Sequence, residues 1–285
     1  MRKTVLASLA AACLLPVAGL AVAACPSAAS IGALAAAWQS MTPATGLDPA
    51  MSMDDGLCGQ KLLLAELAKT QGRVVGYKAG LTNPAVQKRF GYDAPVRGTL
   101  FEKMLLADGA EVPAKFGARP LFEADLVVEV GDDGINDART PAEVLPHLSR
   151  IIPFIELPDL VLDPKEPLSG SVIAAINVGA RLGVLGQGFP PAPEHLGQLA
   201  AMSVVVRDQD GKELARGPGA GILEHPLNAV IWLARDLARE GQRLKAGDLL
   251  SLGSFSPLMP PKPGLAVSVN YEGLAGNPSV RVRFK

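Results

Sequence analysis

The spacing of hydrophobic residues changes near residue 73 and divides the chain into two kinds of structure. From Ser27 to Gln39, and again from Met53 to Gln71, Ala and Leu recur at the intervals of an amphipathic helix. The pattern therefore predicts two helices that form an N-terminal helical extension over residues 25–72. The rest of the chain, residues 73–285, is predicted to be a separate domain of a different structural type.

After residue 73 the sequence consists mainly of short apolar runs separated by turn residues. The runs RVVGYKAG, PLFEADLVVEV, IIPFIELP, MSVVVRD and LAVSVNYEG each have the length and composition of a β-strand. One long amphipathic helix is predicted in HPLNAVIWLARDLAREG, where Gly241 ends the helical pattern. Its predicted apolar face consists of Leu227, Val230, Ile231, Ala234, Leu237 and Ala238. Many strands with few helices, and no regular strand–helix alternation, predict an α+β fold with a mixed or antiparallel sheet.

The composition is that of a globular protein rather than of a disordered or collagen-like chain. The 285 residues are 48% hydrophobic, which is enough to bury one sizeable core. There are 27 basic and 28 acidic side chains, so the formal net charge is −1. A near-neutral protein lacks the basic surface that nucleic-acid binding requires, so we predict no nucleic-acid partner.

Residues 1–24 have the pattern of a secretory signal peptide. Arg2 and Lys3 form a basic start, an uncharged apolar stretch follows, and small residues at positions 21–24 offer a cleavage site. The alternative is an uncleaved membrane anchor, since about 20 apolar residues can span a bilayer. Pro16 and the many alanines weigh against an anchor. We therefore predict that the protein is exported, and is periplasmic or secreted.

Two cysteines, Cys25 and Cys58, lie outside the predicted signal peptide. In an oxidising compartment such a pair favours a disulfide. However, the segment Val22-Ala23-Ala24-Cys25 also resembles a bacterial lipoprotein box, in which Cys25 would carry a lipid and could not pair. Pro26, directly after Cys25, is unusual for such a box, so we favour the disulfide. Membrane contact is expected only through the signal peptide or through a lipid at Cys25.

Two acidic residues, Glu123 and Asp125, stand at the start of the apolar strand PLFEADLVVEV. Because side chains alternate along a strand, both point to the same face, about 6–7 Å apart along the chain. Two carboxylates at this spacing can bind one hard divalent cation. The alternative is an amphipathic strand with one solvated face. We keep that second interpretation for Glu129, which lies further along the same face.

The run IIPFIELP places a third carboxylate, Glu156, on the same strand face as Ile152 and Phe154. A carboxylate on an apolar face is costly unless it is paired or binds a metal. An arginine such as Arg119 or Arg181 could be that partner. Three carboxylates without a Cys or His ligand would suit Mg²⁺ or Mn²⁺ better than Zn²⁺.

Lys78 lies at the end of the apolar run RVVGYKAG and is a candidate catalytic residue. A lysine near a metal and a substrate can bind a carboxylate or transfer a proton. The alternative is a solvated lysine at a strand end. The three histidines, His147, His195 and His225, are expected at the surface or at helix ends rather than in catalysis.

Several stretches of the chain occur in the order found in one enzyme family. They are VVGYKAGLTNPAVQKRFGYDAPVRGTLFEKML, RPLFEADLVVEV, IIPFIELPD and HPLNAVIWLARDLA. Together they resemble the 2-keto-4-pentenoate hydratase / 2-oxo-3-hexenedioate decarboxylase group of the fumarylacetoacetate hydrolase superfamily, over nearly all of the chain after about residue 27. The resemblance implies a mixed β-sandwich roll that assembles as a homo-oligomer.

The resemblance also implies a metal site and a catalytic lysine. Similar proteins bind Mg²⁺ or Mn²⁺ through an E-x-E pair and a later glutamate, to which Glu123, Asp125 and Glu156 correspond. Asp125 replaces the second glutamate of the pair with a shorter carboxylate that can still coordinate. Lys78 matches the catalytic lysine of a G-x-K-x-G-L-T segment.

The implied substrate is a small 2-oxo acid such as 2-hydroxypenta-2,4-dienoate, and the implied reaction is hydration or decarboxylation. In enzymes of this kind the metal holds the carboxylate and keto oxygens of the substrate and stabilises the enolate formed on proton transfer. The resemblance implies that Gly98 and Thr99, in the GTLF segment, and Asn177 bind the substrate.

Three segments depart from the family pattern by losing polar groups. Val96 replaces an acid of the D-x-P-D-F-G segment, and Leu252 replaces the threonine of a T-G pair. Ile176 and Gly179 stand where a D-N-x-S segment has Asp and Ser. These losses leave open an exported binding relative without catalytic activity. An acylpyruvate-type C–C hydrolase is a further alternative, less favoured because the histidine of the hydrolase branches has no evident match.

Overall fold

The computed structural model describes residues 25–285, so the predicted signal peptide lies outside the described residues. Within this range, no helix combines the length and the apolar character that crossing a membrane would require. The described chain contains seven α-helices: α1 (Ala28–Ser40), α2 (Met53–Gln71), α3 (Pro84–Arg89), α4 (Pro141–Val144), α5 (Gly170–Ala175), α6 (His195–Ala201) and α7 (Leu227–Arg239).

The described chain also contains twelve β-strands, which are listed here in chain order. They are β1 (Val74–Gly80), β2 (Val96–Phe101), β3 (Leu105–Ala107), β4 (Ala110–Val112), β5 (Glu123–Val130), β6 (Leu148–Leu157), β7 (Leu182–Leu185), β8 (Ser203–Asp208), β9 (Glu213–Pro218), β10 (Leu249–Ser251), β11 (Ala266–Glu272) and β12 (Ser279–Phe284).

Both N-terminal helices begin at a serine whose side chain satisfies a free backbone donor. The Ser27 hydroxyl accepts the Ser30 N–H at the start of α1, with an N–O distance of 3.1 Å. At the start of α2, Ser52 and Asp55 form a capping box, in which each side chain accepts the other residue's backbone N–H. These caps supply partners for N–H groups that have none inside the helix, and they fix the two helix starts.

Helices α1 and α2 pack against residues from the strand-rich part of the chain. The buried side chains of Ile31 and Leu67 belong to one hydrophobic cluster with Val172 of α5. A disulfide between Cys25 and Cys58 joins the start of the described chain to α2, with the two Cα atoms 5.5 Å apart. The two helices predicted from the sequence are present, and they share buried surface with the following residues.

The strands form two mixed sheets. The first sheet has the order β2-β1-β10-β5-β6-β7-β3, in which β1–β10 and β3–β7 are parallel and the other neighbours are antiparallel. The second sheet has the order β4-β12-β11-β8-β9, in which β12–β4 is parallel and the other neighbours are antiparallel. The structure is therefore a mixed α/β fold.

The main hydrophobic core lies between the two sheets and α7. On β5, the side chains of Ala124, Leu126 and Val128 are buried in a cluster that also contains residues of β8, β11, β12 and α7. The apolar face predicted for α7 is buried except for Ala238, which is exposed in the last turn. Because alternate residues of β5 fill this core, Glu123 and Asp125 face the other side of the first sheet.

Candidate metal centre

The pairing of β5 with β6 places Glu123 directly opposite Glu156. Opposite residues of an antiparallel pair have Cβ atoms about 4.5–5.5 Å apart, so the two carboxylates lie within reach of one cation. Asp125 is opposite Phe154, two positions along the same face. The Asp125 and Glu156 side chains are buried, whereas Glu123 keeps part of its surface exposed in a cavity. The alternative of a solvated face is therefore wrong for Asp125.

The Asp125 carboxylate is held by three hydrogen bonds. Its Oδ1 accepts the N–H groups of Leu126 and Gly253, the second with an N–O distance of 2.9 Å. Its Oδ2 accepts the Ser251 hydroxyl at 2.5 Å. A carboxylate offers roughly four lone-pair positions, so one acceptor position on Oδ2 stays available to a further ligand.

Lys78 is the partner of Glu156. The strand β1 continues through Gly80, so Lys78 lies inside the strand, and its side chain is buried rather than solvated. Its Nζ contacts Glu156 Oε1 and donates a hydrogen bond to the Val178 carbonyl at 2.9 Å. The Lys78 contact does not have hydrogen-bond geometry at Glu156 Oε1, which has no hydrogen-bond donor despite its burial.

The predicted arginine partners of Glu156 are engaged elsewhere, so that alternative is wrong. Arg181 pairs with Asp159 at 3.4 Å, and its guanidinium lies 4.3 Å from the centre of the Trp38 ring. The Arg119 guanidinium donates to the Leu162 carbonyl, and its backbone N–H donates to Asp159. Both arginines therefore hold the segment that follows β6, and Lys78 alone neutralises Glu156.

The site holds more negative charge than its buried lysine can balance. Burial raises the pKa of Glu123 well above its ordinary value, and the nearby Glu156 charge raises it further. Burial and the Glu156 charge also raise the pKa of Asp125 to about 7, although the Ser251 and Leu126 hydrogen bonds oppose this rise. Such carboxylates favour either a bound proton or a bound cation.

The donor set fits a hard divalent cation. All the candidate side-chain ligands, Glu123, Asp125 and Glu156, offer carboxylate oxygens, the donors that such cations prefer. As the side chains stand, no group of three or more His, Cys, Asp or Glu residues within residues 25–285 is arranged to hold a metal ion. The Asp125 carboxylate is hydrogen-bonded to Ser251, and the Lys78 ammonium contacts Glu156. Side-chain rotation would be needed for all three carboxylates to bind one ion.

A cavity of about 270 Å³ adjoins Lys78 and Glu123. Its wall is largely apolar and includes the side chains of Leu81, Leu160 and Val178. A larger cavity of about 670 Å³ lies between α2 and α7, but none of the predicted catalytic, metal-binding or substrate-binding residues lines it. The cavity beside Lys78 is therefore the one that can bring a ligand to the carboxylates.

The three predicted substrate-binding residues do not line this cavity. Asn177 uses both ends of its amide on the Thr99 backbone, accepting its N–H at 2.7 Å and donating to its carbonyl at 3.0 Å. Gly98 packs so closely against Lys78 that an added Cβ would lie 2.8 Å from Lys78 Cγ. These residues therefore contact Lys78 and the turn at residues 177–179, which lies beside it.

That turn has an unusual backbone. Asn177, Val178 and Gly179 have φ angles of 55°, 54° and 68°, all in the left-handed region. For a β-branched residue such as Val178 this conformation costs about 1–3 kcal/mol, and it persists only where the surroundings impose it. The turn presents the Val178 carbonyl to Lys78 Nζ and the Val178 side chain to the cavity.

Sequence reasoning missed three residues that contact Asp125: Ser251, Gly253 and Tyr271. The Tyr271 hydroxyl donates a hydrogen bond to the Asp125 backbone carbonyl from the other sheet. A polar Ser251 inside the apolar run LLSL was the available signal for one of them. No local signal pointed to Tyr271, because its contact joins residues separated by 146 positions.

The histidines take no part in this site. His147 contacts Asp132 at 2.7 Å, and His195 and His225 bond to backbone groups of neighbouring turns. None of the three lies among the residues that line the cavity beside Lys78. The ionisable groups of the site are therefore its carboxylates and Lys78, together with Arg89, which also lines the cavity.

Comparison with known proteins identifies the family, although no protein-family model matches the chain. The chain is 33% identical over 239 residues to the 2-keto-4-pentenoate hydratase of Paraburkholderia xenovorans (strain LB400), covering 83% of this chain and 86% of that protein. It is 30% identical over 241 residues to the 2-oxo-hept-4-ene-1,7-dioate hydratase of Escherichia coli, covering 83% and 88% of the two chains.

Solved structures show the same fold. The 4-oxalocrotonate decarboxylase from Pseudomonas putida G7, complexed with magnesium and adipate, has a TM-score of 0.79 at 25% identity over 90% of this chain and 97% of that chain. The fumarylpyruvate hydrolase from Pseudomonas aeruginosa, in complex with Mn²⁺ and pyruvate, shares the fold with a TM-score of 0.54 at 17% identity, over 75% and 90% of the two chains. The chain belongs to the 2-keto-4-pentenoate hydratase family.

Proposed function

We propose that the protein is a divalent-metal-dependent lyase, a hydratase or decarboxylase, that acts on a small 2-oxo acid such as 2-hydroxypenta-2,4-dienoate. The observation that carries this proposal is the facing pair Glu123 and Glu156, with Lys78 beside it, at one end of a largely apolar cavity. The names of the hydratase relatives and of the magnesium-complexed decarboxylase support the reaction class.

Each residue of the site has a role in this proposal. Glu123, Asp125 and Glu156 would hold Mg²⁺ or Mn²⁺, and the bound ion would act as a Lewis acid towards the substrate oxygens. Lys78 Nζ holds or transfers a proton, because it lies between Glu156 and the Val178 carbonyl and its neighbours Ala79 and Gly80 also line the cavity. The apolar wall around Leu160 limits the access of bulk water.

Two variants test the proposal in the full chain. Glu123→Ala is expected to lose most of the Mg²⁺ affinity measured by titration calorimetry. Lys78→Gln is expected to bind Mg²⁺ but to turn over 2-hydroxypenta-2,4-dienoate about 10²–10⁴-fold more slowly, the usual contribution of general acid–base catalysis. Glu129→Gln is the matched control, because Glu129 lies on the same strand but pairs with Arg150.

The outcomes separate the alternatives. Unchanged Mg²⁺ affinity in Glu123→Ala would disprove the metal assignment. Metal binding by the wild-type chain without turnover of any 2-oxo acid in a substrate panel would instead identify a non-catalytic binding relative. Turnover that yields C–C cleavage products would identify an acylpyruvate-type hydrolase.

The location and assembly of the protein are part of the same proposal. We infer an exported protein, periplasmic or secreted, whose two sheets form a β-sandwich roll that assembles as a homo-oligomer, with residues 25–72 as a helical extension of a domain over residues 73–285. The disulfide between Cys25 and Cys58 supports export, because disulfides persist in oxidising compartments. The intact mass of the mature protein shows whether the signal peptide has been cleaved and whether Cys25 carries a lipid. Comparing the mass with and without reductant tests the disulfide. Sedimentation tests the oligomer.

A further inference from the structure

Tyr271 is a fully buried residue of the second sheet whose hydroxyl reaches the first sheet. It lies on β11, and its hydroxyl accepts the Phe154 N–H at 2.9 Å and donates to the Asp125 carbonyl. The hydroxyl also lies 3.2 Å from the Phe154 carbonyl. These backbone groups belong to β5 and β6, the two strands that carry the candidate metal ligands.

This contact lies at a paired position of the strand ladder, where Asp125 is opposite Phe154. The Tyr271 hydroxyl bonds to the backbone of both residues, accepting the Phe154 N–H and donating to the Asp125 carbonyl. The next pair is Leu126 with Pro153, and proline has no N–H to donate to a ladder. The Tyr271 side chain, which comes from the second sheet, therefore helps to hold β5 and β6 together at this position.

Two further observations connect the bridge to the carboxylates. Asp125 and Phe154 each lie two residues from a member of the facing pair, Glu123 and Glu156, and on the same strand face. Tyr271 fixes the Asp125 backbone from the core side, and Ser251 and Gly253 fix its carboxylate from β10 and the segment after it. The backbone and side chain of one candidate ligand are thus held independently.

We infer that Tyr271 is a positioning residue for metal binding, whose hydroxyl sets the separation of β5 from β6 and so the spacing of Glu123 and Glu156. This inference rests on the proposed function, because it takes these carboxylates as metal ligands. Residues that orient metal ligands typically change metal affinity by about 10–100-fold when they are replaced.

The first test is Tyr271→Phe in the full chain, which removes one oxygen and keeps the ring that packs edge-on against Phe255. We expect Mg²⁺ and Mn²⁺ to bind at least about tenfold more weakly in titration calorimetry. The matched control is Tyr92→Phe, whose side chain lines the larger cavity between α2 and α7 and is expected to leave both affinities unchanged. A Tyr271→Phe variant that is less stable but binds both ions with wild-type affinity would overturn the inference.

A second measurement does not depend on the folding of that variant. The chain has three tyrosines, so wild-type protein labelled with 3-fluorotyrosine gives few fluorine signals. Tyr77→Phe and Tyr92→Phe assign two of them, and the Tyr271 signal follows by elimination. We expect the Tyr271 signal to shift saturably as diamagnetic Mg²⁺ is added, while the Tyr77 and Tyr92 signals stay in place. A Tyr271 signal that is unmoved at saturating Mg²⁺ would contradict the inference.

The outcomes distinguish a failure of this inference from a failure of the proposed function. If Glu123→Ala abolishes Mg²⁺ binding while Tyr271→Phe binds normally, the metal site stands and the role of Tyr271 is wrong. If Glu123→Ala itself binds Mg²⁺ normally, the metal assignment fails first, and the role of Tyr271 fails with it.

Discussion

At the scale of single residues, burial determines the chemistry of the site. Asp125 is fully buried beside other carboxylates, and yet it is surrounded by donors that favour its charged form. These opposing effects leave its pKa at about 7, against 3.8 for an ordinary aspartate. Near neutral pH the side chain can therefore exchange a proton for a cation at a modest cost in free energy.

This pKa predicts how stability depends on pH in the metal-free protein. The unfolded chain releases the Asp125 proton near pH 3.8, whereas the folded chain keeps it until about pH 7. Between these values Asp125 binds more protons in the folded state, so its contribution to the free energy of unfolding falls as the pH rises and then levels off. We expect a loss on the order of a few kcal/mol between about pH 4 and pH 7. Glu123, whose pKa is also raised, contributes in the same direction.

Urea unfolding in the presence of a chelator measures this effect. Asp125→Asn should flatten part of the pH dependence, because its side chain does not titrate. Added Mg²⁺ should stabilise the protein more at about pH 8 than at about pH 5, since protons compete with the cation for the same oxygens. Equal dependence of stability on pH in the wild type and in Asp125→Asn, without metal, would contradict the prediction.

At the scale of single elements, the end of α1 contains a correctable strain. Met41 follows the helix in the left-handed conformation, with φ 57° and ψ 37°, and its N–H bonds to the Ala37 and Trp38 carbonyls. This is a position where glycine is usual, because a Cβ is unfavourable there. The Met41 side chain is exposed, so little packing is lost when it is removed.

Met41→Gly is therefore expected to raise the free energy of unfolding by about 0.5–1 kcal/mol. Denaturant unfolding at fixed pH checks this value. Met41→Ala serves as the control, since it removes the same side chain but keeps the Cβ, and it should give no such gain. Equal effects of the two substitutions would show that the backbone conformation is not the cause.

The elements were largely predictable from the sequence because each depends on local patterns. The predicted spans 27–39 and 53–71 agree with α1 and α2 to within one or two residues, and the apolar face of α7 was correct except at Ala238. The placement of Glu123 and Asp125 on one face also followed from alternation alone. Each of these inferences needed only residues that are near neighbours in the chain.

Contacts between distant residues could not be predicted in this way. The register that sets Glu123 opposite Glu156 depends on strand pairing, which two-residue alternation does not determine. The bonds from Ser251 and Gly253 to Asp125 join residues 126 and 128 positions apart. The left-handed turn at 177–179 is imposed by tertiary contacts, such as those of Asn177 with Thr99, and the sequence carries no signal of it beyond Gly179.

At the scale of the whole molecule, the disulfide ties the start of the described chain to α2. Cys25 and Cys58 are 33 positions apart, and closing a loop of this length stabilises a protein by roughly 3–4 kcal/mol in the chain-entropy description. We expect reductant, or the substitution Cys58→Ser, to lower the free energy of unfolding by about this amount. Mg²⁺ affinity should be unchanged, because neither cysteine contacts the carboxylate site.

Urea unfolding in the presence and absence of reductant measures this contribution, and Cys58→Ser should respond to reductant no further. Equal stability of the oxidised and reduced wild-type chains would show that the crosslink does not constrain the unfolded state. A parallel loss of metal affinity would show instead that the N-terminal helices support the site.

The bridge from Tyr271 has a consequence for how the protein could be redesigned. The spacing of the carboxylates depends on interior contacts between the two sheets, whereas the cavity wall comes largely from loop and helix residues within 81–90 and 254–258. The contacts between the sheets would then determine metal binding, and the cavity wall would determine which substrate binds. An engineer could vary the wall to accept longer or more polar acids while leaving the metal geometry intact, provided that the interior hydroxyl is retained.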